Sequence, residues 1–177
     1  KDNSNESRRI EINNVFTSNR LALGNSFEGG ESITLGLSFK KEKINTLEEI
    51  TKIEEYMDFK IASVFRLNEE KNIPTSSTLN KKTSNIFGEF NLKPIENISF
   101  GYNFSITNNL DKFEYNSLNT DINFKGFSTR FNYLEERGVV GQKHMIENST
   151  TYVFNEANAI FFNTRRDQKL NLTEYYD

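Results

Sequence analysis

The stretch Ile98-Ser99-Phe100-Gly101-Tyr102-Asn103-Phe104-Ser105-Ile106 decides the fold. Every second residue is large and apolar and those between are small or polar, which is the period of a β-strand with one greasy face. The same design returns at 33–40, where Ile33, Leu35, Leu37 and Phe39 alternate with Thr34, Gly36, Ser38 and Lys40. It returns again at 127–133, with Phe127, Thr129, Phe131 and Tyr133 against Ser128, Arg130 and Asn132. Between them Leu118, Thr120, Ile122 and Phe124 oppose Asn119, Asp121 and Asn123. Weaker members are 57–67, with Met57, Phe59, Ile61 and Phe65 against Asp58, Lys60 and Arg66, and 86–92, with Ile86, Phe90 and Leu92 on one side. Segments 146–154 and 159–165 complete the set, although 157–162 does not alternate cleanly and leaves its face open.

The turns between these segments come in two lengths. Lys93-Pro94-Ile95-Glu96-Asn97, Lys125-Gly126 and Asn155-Glu156-Ala157 are compact, and longer polar connections fall at 68–82, 108–111, 137–143 and 167–170. Strands of about ten residues joined alternately by tight turns and long loops are the threading of an outer-membrane barrel, with one compact rim and one that reaches outward. The reading is therefore all-β: an antiparallel up-and-down transmembrane β-barrel segment of about eight or nine strands, not closed by itself. Two places break the rhythm. Ile44, Leu47, Ile50 and Ile53 are spaced by three, which fits a short amphipathic helix capped at Asn45 or Thr46, or an irregular long turn. From Phe113 and Tyr115 to Leu118 the apolar parity slips by one, which predicts a bulge near Asn116 or Ser117.

Bulk composition points toward a water-soluble or unfolded chain: 177 residues, 35% hydrophobic, 27% charged and a net charge of −3, with a mean hydropathy of −0.68. A membrane barrel has the same average, because only alternate residues meet lipid and the others line a wet interior. The 16 Phe and 7 Tyr, placed in alternation, argue against disorder. Scattered basic residues in a weakly acidic chain leave no electrostatic footprint for nucleic acid. With no cysteine there is no disulfide, thiol nucleophile or Cys metal site. Lys1 to Arg9 contains no apolar core of a signal peptide, and the chain stops at Asp177 inside an aromatic segment, so a piece of a longer protein is expected. Residues 1–18 read as strand or loop, and 19–177 as the barrel segment.

Catalysis finds little footing. His144, the single histidine, sits beside the 138–143 loop with no acidic partner at a telling spacing, and reads as a rim residue. The pairs Glu48-Glu49, Glu54-Glu55, Glu69-Glu70 and Glu135-Glu136 read as solvated loop charges, the alternative being chelation of divalent ions. No cofactor is called for. Glu28-Gly29-Gly30 has no following helix or Lys-Ser/Thr, so a strand-to-strand turn is expected there rather than a phosphate loop.

The block running from Asn19-Arg20 through Glu28-Gly29-Gly30 to Thr34-Leu35-Gly36-Leu37 resembles the Asn-Arg, Glu-Gly-Gly, Thr-x-Gly-Leu pattern of the LptD (OstA) family of lipopolysaccharide-assembly outer-membrane proteins. Ile73-Pro74-Thr75-Ser76-Ser77-Thr78-Leu79 with Ser84-Asn85-Ile86-Phe87-Gly88, and Arg165-Arg166 with Asn171-Leu172-Thr173-Glu174-Tyr175-Tyr176, are similar to later barrel hairpins of that family. The resemblance covers most of the chain and implies the C-terminal part of a very large barrel in the cell outer membrane. It implies three partners: lipopolysaccharide, an LptE-like plug lipoprotein in the lumen, and a periplasmic Lpt bridge reached through an N-terminal domain that this chain lacks. In such a barrel the inward parity places Lys60, Arg66, Arg130 and Arg165 to touch phosphorylated sugar. Asn103, Asn119, Asn123 and Asn132 are placed to hydrogen-bond sugar hydroxyls, and Asp121 is a further polar residue facing the lumen. Alternatively, these residues simply keep a lumen hydrated. Two other functions share the alternation: a general porin or uptake barrel, and a soluble β-sandwich binding module whose outward aromatics would pack on a second sheet.

Overall fold

The computed structural model describes residues 2–24, 28–47 and 50–176, with side chains left aside at 45–47, 50–52 and 174–176. Nine strands follow one another: β1 (Ser32–Leu47), β2 (Ile50–Arg66), β3 (Ile86–Ile95), β4 (Ile98–Ile106), β5 (Phe113–Phe124), β6 (Phe127–Glu136), β7 (His144–Asn155), β8 (Asn158–Asp167) and β9 (Leu172–Tyr176). Each pairs antiparallel with its neighbour in the chain, so one sheet runs in the order β1 to β9 and its two edges stay open. No helix among the described residues is long and apolar enough to cross a membrane, a statement that leaves strands untouched.

Register turns the sequence alternation into two faces. Pairs such as Phe39 with Phe59, Phe59 with Phe90, Phe90 with Tyr102, Tyr102 with Leu118 and Leu118 with Tyr133 carry an apolar row across six strands on the outer face. Phe90 meets Phe100 edge-on at 6.2 Å and Phe104 meets Phe113 at 5.9 Å, ring geometries that add to simple burial. Among the described residues nothing covers this face. Leu35 is 59% exposed and Ile160 58%, and no second sheet is present among the described residues. The face of 157–162, open in the sequence, is chosen by pairing: Ile160 opposes Tyr152 and Phe162 opposes Thr150 on the outer side, while Phe161 opposes Thr151. Where polar groups interrupt the belt they satisfy one another, with Thr129 and Thr150 hydroxyls 2.7 Å apart and Asn148 Nδ2 donating to Thr129 Oγ1 at 3.2 Å.

The hairpin turns follow the two lengths. Phe124 and Phe127 close a loop of Lys125 and Gly126, and Gly126 takes a φ of 79°, which a side chain would disfavour. At the opposite rim the 67–85 connection is the largest and carries a 3-10 turn at Thr75–Ser77.

Three expectations are corrected. Within 44–55 the described residues, 44–47 and 50–55, are strand and neither helix nor loose turn: β1 runs to Leu47 and β2 starts at Ile50, with Ile44 paired to Ile53, so the spacing by three arose from two strands facing one another. Pairing of β2 with β3 ends at Met57 and Leu92, hence 50–56 and its β1 partner project as a two-stranded ribbon. The bulge in β5 is at Glu114, not at Asn116 or Ser117, because Ser105 pairs with Tyr115 and Ile106 with Phe113. Both Glu114 and Tyr115 are consequently buried, and the aromatic parity changes between Phe113 and Tyr115. Glu28-Gly29-Gly30 is not a strand-to-strand turn, since the described residues before it contain no strand and it simply leads into β1.

Residues 2–24 instead form a layer against the inner face. Ile10, Ile12, Val15, Leu21 and Leu23 join Ala62 and Val64 of β2, Phe87 of β3 and Ile73 and Leu79 of the 67–85 connection in one dry cluster. Backbone bonds from Asn3 N to Asn72 O at 3.0 Å and from Thr75 N to Ser4 O at 3.2 Å stitch the layer to that connection. Fully burying each such side chain contributes about 1.5–3 kcal/mol. Leu21→Ala is expected to cost about 2–5 kcal/mol locally; limited proteolysis should then cut within 2–24 far faster while β4 to β8 remain protected.

Candidate functional site

The inner face away from that dry cluster is where chemistry is concentrated. One row crosses eight strands through successive partners: Lys40, Asp58, Asn91, Gly101, Asn119, Asn132, Glu147 and Arg165. None is apolar beyond the glycine. The side chain of Asn119 lies over Gly101, in the space a Cβ there would need. A neighbouring row brings Ser38, Lys60, Glu89, Asn103 and Ser117 together, and another joins Ser99, Asp121, Arg130, Ser149 and Asn163. Asn123 sits opposite Ser128.

All nine residues singled out from sequence thus lie on the inner side, but in different settings. Lys60 Nζ contacts Asp58 Oδ2 at 2.5 Å and Glu89 Oε1 at 3.6 Å. Arg130 holds Asp121 at 2.6 Å, and Arg165 holds Glu147 at 3.1 Å while Asn132 Nδ2 donates to the same carboxylate at 3.4 Å. These pairs are partly open to solvent, where an ion pair contributes about 0–1 kcal/mol and exchanges readily. Asn103 Oδ1 is buried without a hydrogen-bond partner, the kind of acceptor that a water or ligand donor would satisfy.

Arg66 differs from the rest. Its side chain is 1% exposed and pairs with Glu28, which also accepts from Arg20 Nε at 2.8 Å, while Arg66 NH1 donates to Gly29 O at 2.8 Å. Arg20 further donates to Thr34 Oγ1 at 2.8 Å and Ser32 Oγ at 2.9 Å. The Arg20 and Arg66 guanidiniums clamp one carboxylate and so fasten the segment before β1 to the ends of β1 and β2.

Sequence reasoning passed over Glu89, Asn91 and Glu147, although each lies one residue from an outer-face apolar residue and parity alone identifies it. The Arg20, Glu28, Arg66 clamp had no such signal, since Arg20 and Glu28 lie outside any strand. His144 stands at the start of β7, edge-on to Tyr133 at 5.5 Å. Among the described residues no three acidic or histidine side chains converge on a metal position.

At the long-loop rim, the Thr107 hydroxyl at 2.5 Å and Asn109 Nδ2 at 2.9 Å donate to Asp111, and these bonds hold its carboxyl below the usual value. A lowered folded pKa means that the turn keeps this support above the ordinary carboxylate range and loses it as pH falls through the lowered value. Amide exchange at Leu110 and Lys112, corrected for intrinsic rate, should rise over that acidic interval. For the clamp, Glu28→Gln removes the carboxylate that both enclosed guanidiniums contact, leaving Arg66 only the influence of Glu70, and is expected to cost about 3–5 kcal/mol. The urea midpoint for loss of heat-resistant gel mobility measures it, and Arg20→Gln should shift that midpoint less.

A family model described as LptD: LPS transport system D matches residues 7–157. No curated protein and no solved structure matches the chain.

Proposed function

From the premise that the chain belongs to the LptD family, we propose that its sheet is part of the wall of an outer-membrane barrel that delivers lipopolysaccharide to the outer leaflet. The sugars pass along the inner face while the acyl chains leave sideways into lipid. No covalent step is involved. The observation that carries this reading is the separation of the two faces: the row from Lys40 to Arg165, polar but for Gly101, backs a belt of exposed Phe, Leu and Ile. Soluble monomers rarely expose contiguous apolar patches beyond a few hundred Å². A bilayer requires such a belt, and a hydrophilic head group requires the opposite face.

Within this reading, Lys60, Arg130 and Arg165 meet phosphates, and Asn103, Asn119, Asn123, Asn132 and Asp121 exchange hydrogen bonds with hydroxyls. Arg66 is committed to Glu28 and acts by positioning. The long-loop rim faces outward, the compact turns face the periplasm, and the inner wall borders an LptE-like plug. Lipopolysaccharide arrives from the periplasmic bridge.

Two neighbouring residues on opposite faces of β6 test the reading. Phe131→Arg puts a cation into lipid at a cost of about 2–4 kcal/mol and should impair assembly, seen as loss of the folded band on gels. Asn132→Leu should assemble normally yet slow the arrival of lipopolysaccharide at the cell surface several-fold. Equal assembly of both variants with undiminished delivery overturns the proposal.

A further inference from the structure

At the compact-turn end the sheet narrows to two strands. β2 pairs with β3 only as far as Met57 and Leu92, and simple continuation of that register would set Pro94 against Glu55, where proline has no N–H to give. Facing β1, β2 carries an extra residue, Tyr56, because Lys41 pairs with Met57 and Glu42 with Glu55; such a bulge twists the ribbon away from its neighbour. Among the described residues no strand except β1 pairs with 50–56. A hollow of about 240 Å³ opens at the fork, between Glu55 and Met57 of β2 and Leu92 and Lys93 of β3, so there is room beside the unpaired backbone. We infer that this edge takes up an extended segment of a separate polypeptide, which adds as a further strand with an apolar residue beside Ile53 and a basic one beside Glu55.

Backbone and side chains together specify that occupant. A row of unpaired N–H and C=O groups is matched along its length by another extended chain. Ile53 is 62% exposed beside its partner Ile44 at 66%, an apolar pair on a ribbon otherwise rich in charge. Glu55 follows two residues on, on the same face. Lys40 Nζ is shared by Glu55 at 2.6 Å and Glu42 at 3.2 Å, so this group of three keeps a negative charge, and Glu55 is still 67% exposed. Lys93 borders the hollow but makes no ion pair among the described residues. Charges of this kind keep an edge from pairing indiscriminately and set which strand it accepts. A second copy does not fit. In the membrane setting proposed above, on which this exclusion rests, copies are related by an axis along the bilayer normal, so their β2 edges would meet parallel and in register, with Glu54 against Glu54 and Glu55 against Glu55. Antiparallel pairing would turn the second copy out of the bilayer.

Fluorescence anisotropy of labelled peptides with the complete protein in detergent tests this. The probes are Thr-Lys-Thr-Ile-Thr-Val-Thr, its counterpart with Glu in place of Lys, and the Lys peptide with every backbone nitrogen methylated. The Lys peptide should bind, and the methylated one, which keeps the charge and loses the donors, should not. Glu55→Lys should weaken the Lys peptide about fivefold and favour the Glu peptide to a similar extent. Absence of Lys-peptide binding, or equal binding of the methylated peptide, overturns strand addition. Unchanged affinities in a Glu55→Lys protein that runs as a folded species on gels overturn this edge as the site. A photoreactive residue in place of Ile53, in the complete protein in membranes, should give no product of doubled mass and no crosslink within the chain; either one makes the protein its own occupant and overturns the proposal. Peptide binding is read without lipopolysaccharide, so its failure is distinct from a failure of the β6 variants to slow delivery.

Discussion

A sheet one layer thick has to place water and oil on opposite sides of the same backbone, and everything else in this protein follows from that constraint. In hydrocarbon an unpaired N–H or C=O costs several kcal/mol, so each strand must be bonded along its length to its neighbours. Consecutive antiparallel pairing from β1 to β9 meets the requirement with the shortest connections. Once register is set, a slip by one residue would expose Lys60 and Arg130 to the apolar side and draw Phe59 and Phe131 into water. The row of Phe39, Phe59, Phe90, Tyr102, Leu118 and Tyr133 and the row of Lys40, Asp58, Asn91, Asn119 and Asn132 hold each other in place.

The inner face is not uniform. Near the long-loop rim it is dry, because Ala62, Val64 and Phe87 meet apolar residues of the 2–24 layer, and further along it is polar. The clamp of Arg20 and Arg66 on Glu28 lies at the rim end of the dry patch, with Val64 and Ala62 between it and Lys60. A buried ion pair of this kind adds little net stability over an apolar replacement, but breaking it leaves a costly unpaired charge, so it selects one docking of the segment over others. The exposed pairs of the polar row are of the opposite kind. They are individually weak because water screens their partly open side chains.

Much of this was legible from residue order because the β period is two and the faces differ sharply in chemistry. Strand number, the outward aromatics, the inward Lys60, Asp121 and Arg130, and the two turn lengths all follow from local pattern. The misreadings share one cause. At Ile44 to Ile53 two strands facing one another imitate a helical spacing, and at Glu114 an extra residue inside a strand resets the parity only through what Ser105 and Ile106 choose as partners. Glu28-Gly29-Gly30 read as a hairpin turn because a sequence does not show that the segment before it folds back without forming a strand.

Sequence by itself determined the strand identities, the division into a greasy and a wet face, and the family to which the chain belongs, since each depends on neighbours two residues apart or on short contiguous motifs. Tertiary structure decided which residues share a row across eight strands, where the bulge falls, and that Arg66 is enclosed with Glu28 while Arg130 stays open. Those outcomes depend on register and on the docking of a segment without periodicity, and both are set by contacts between residues far apart in the chain.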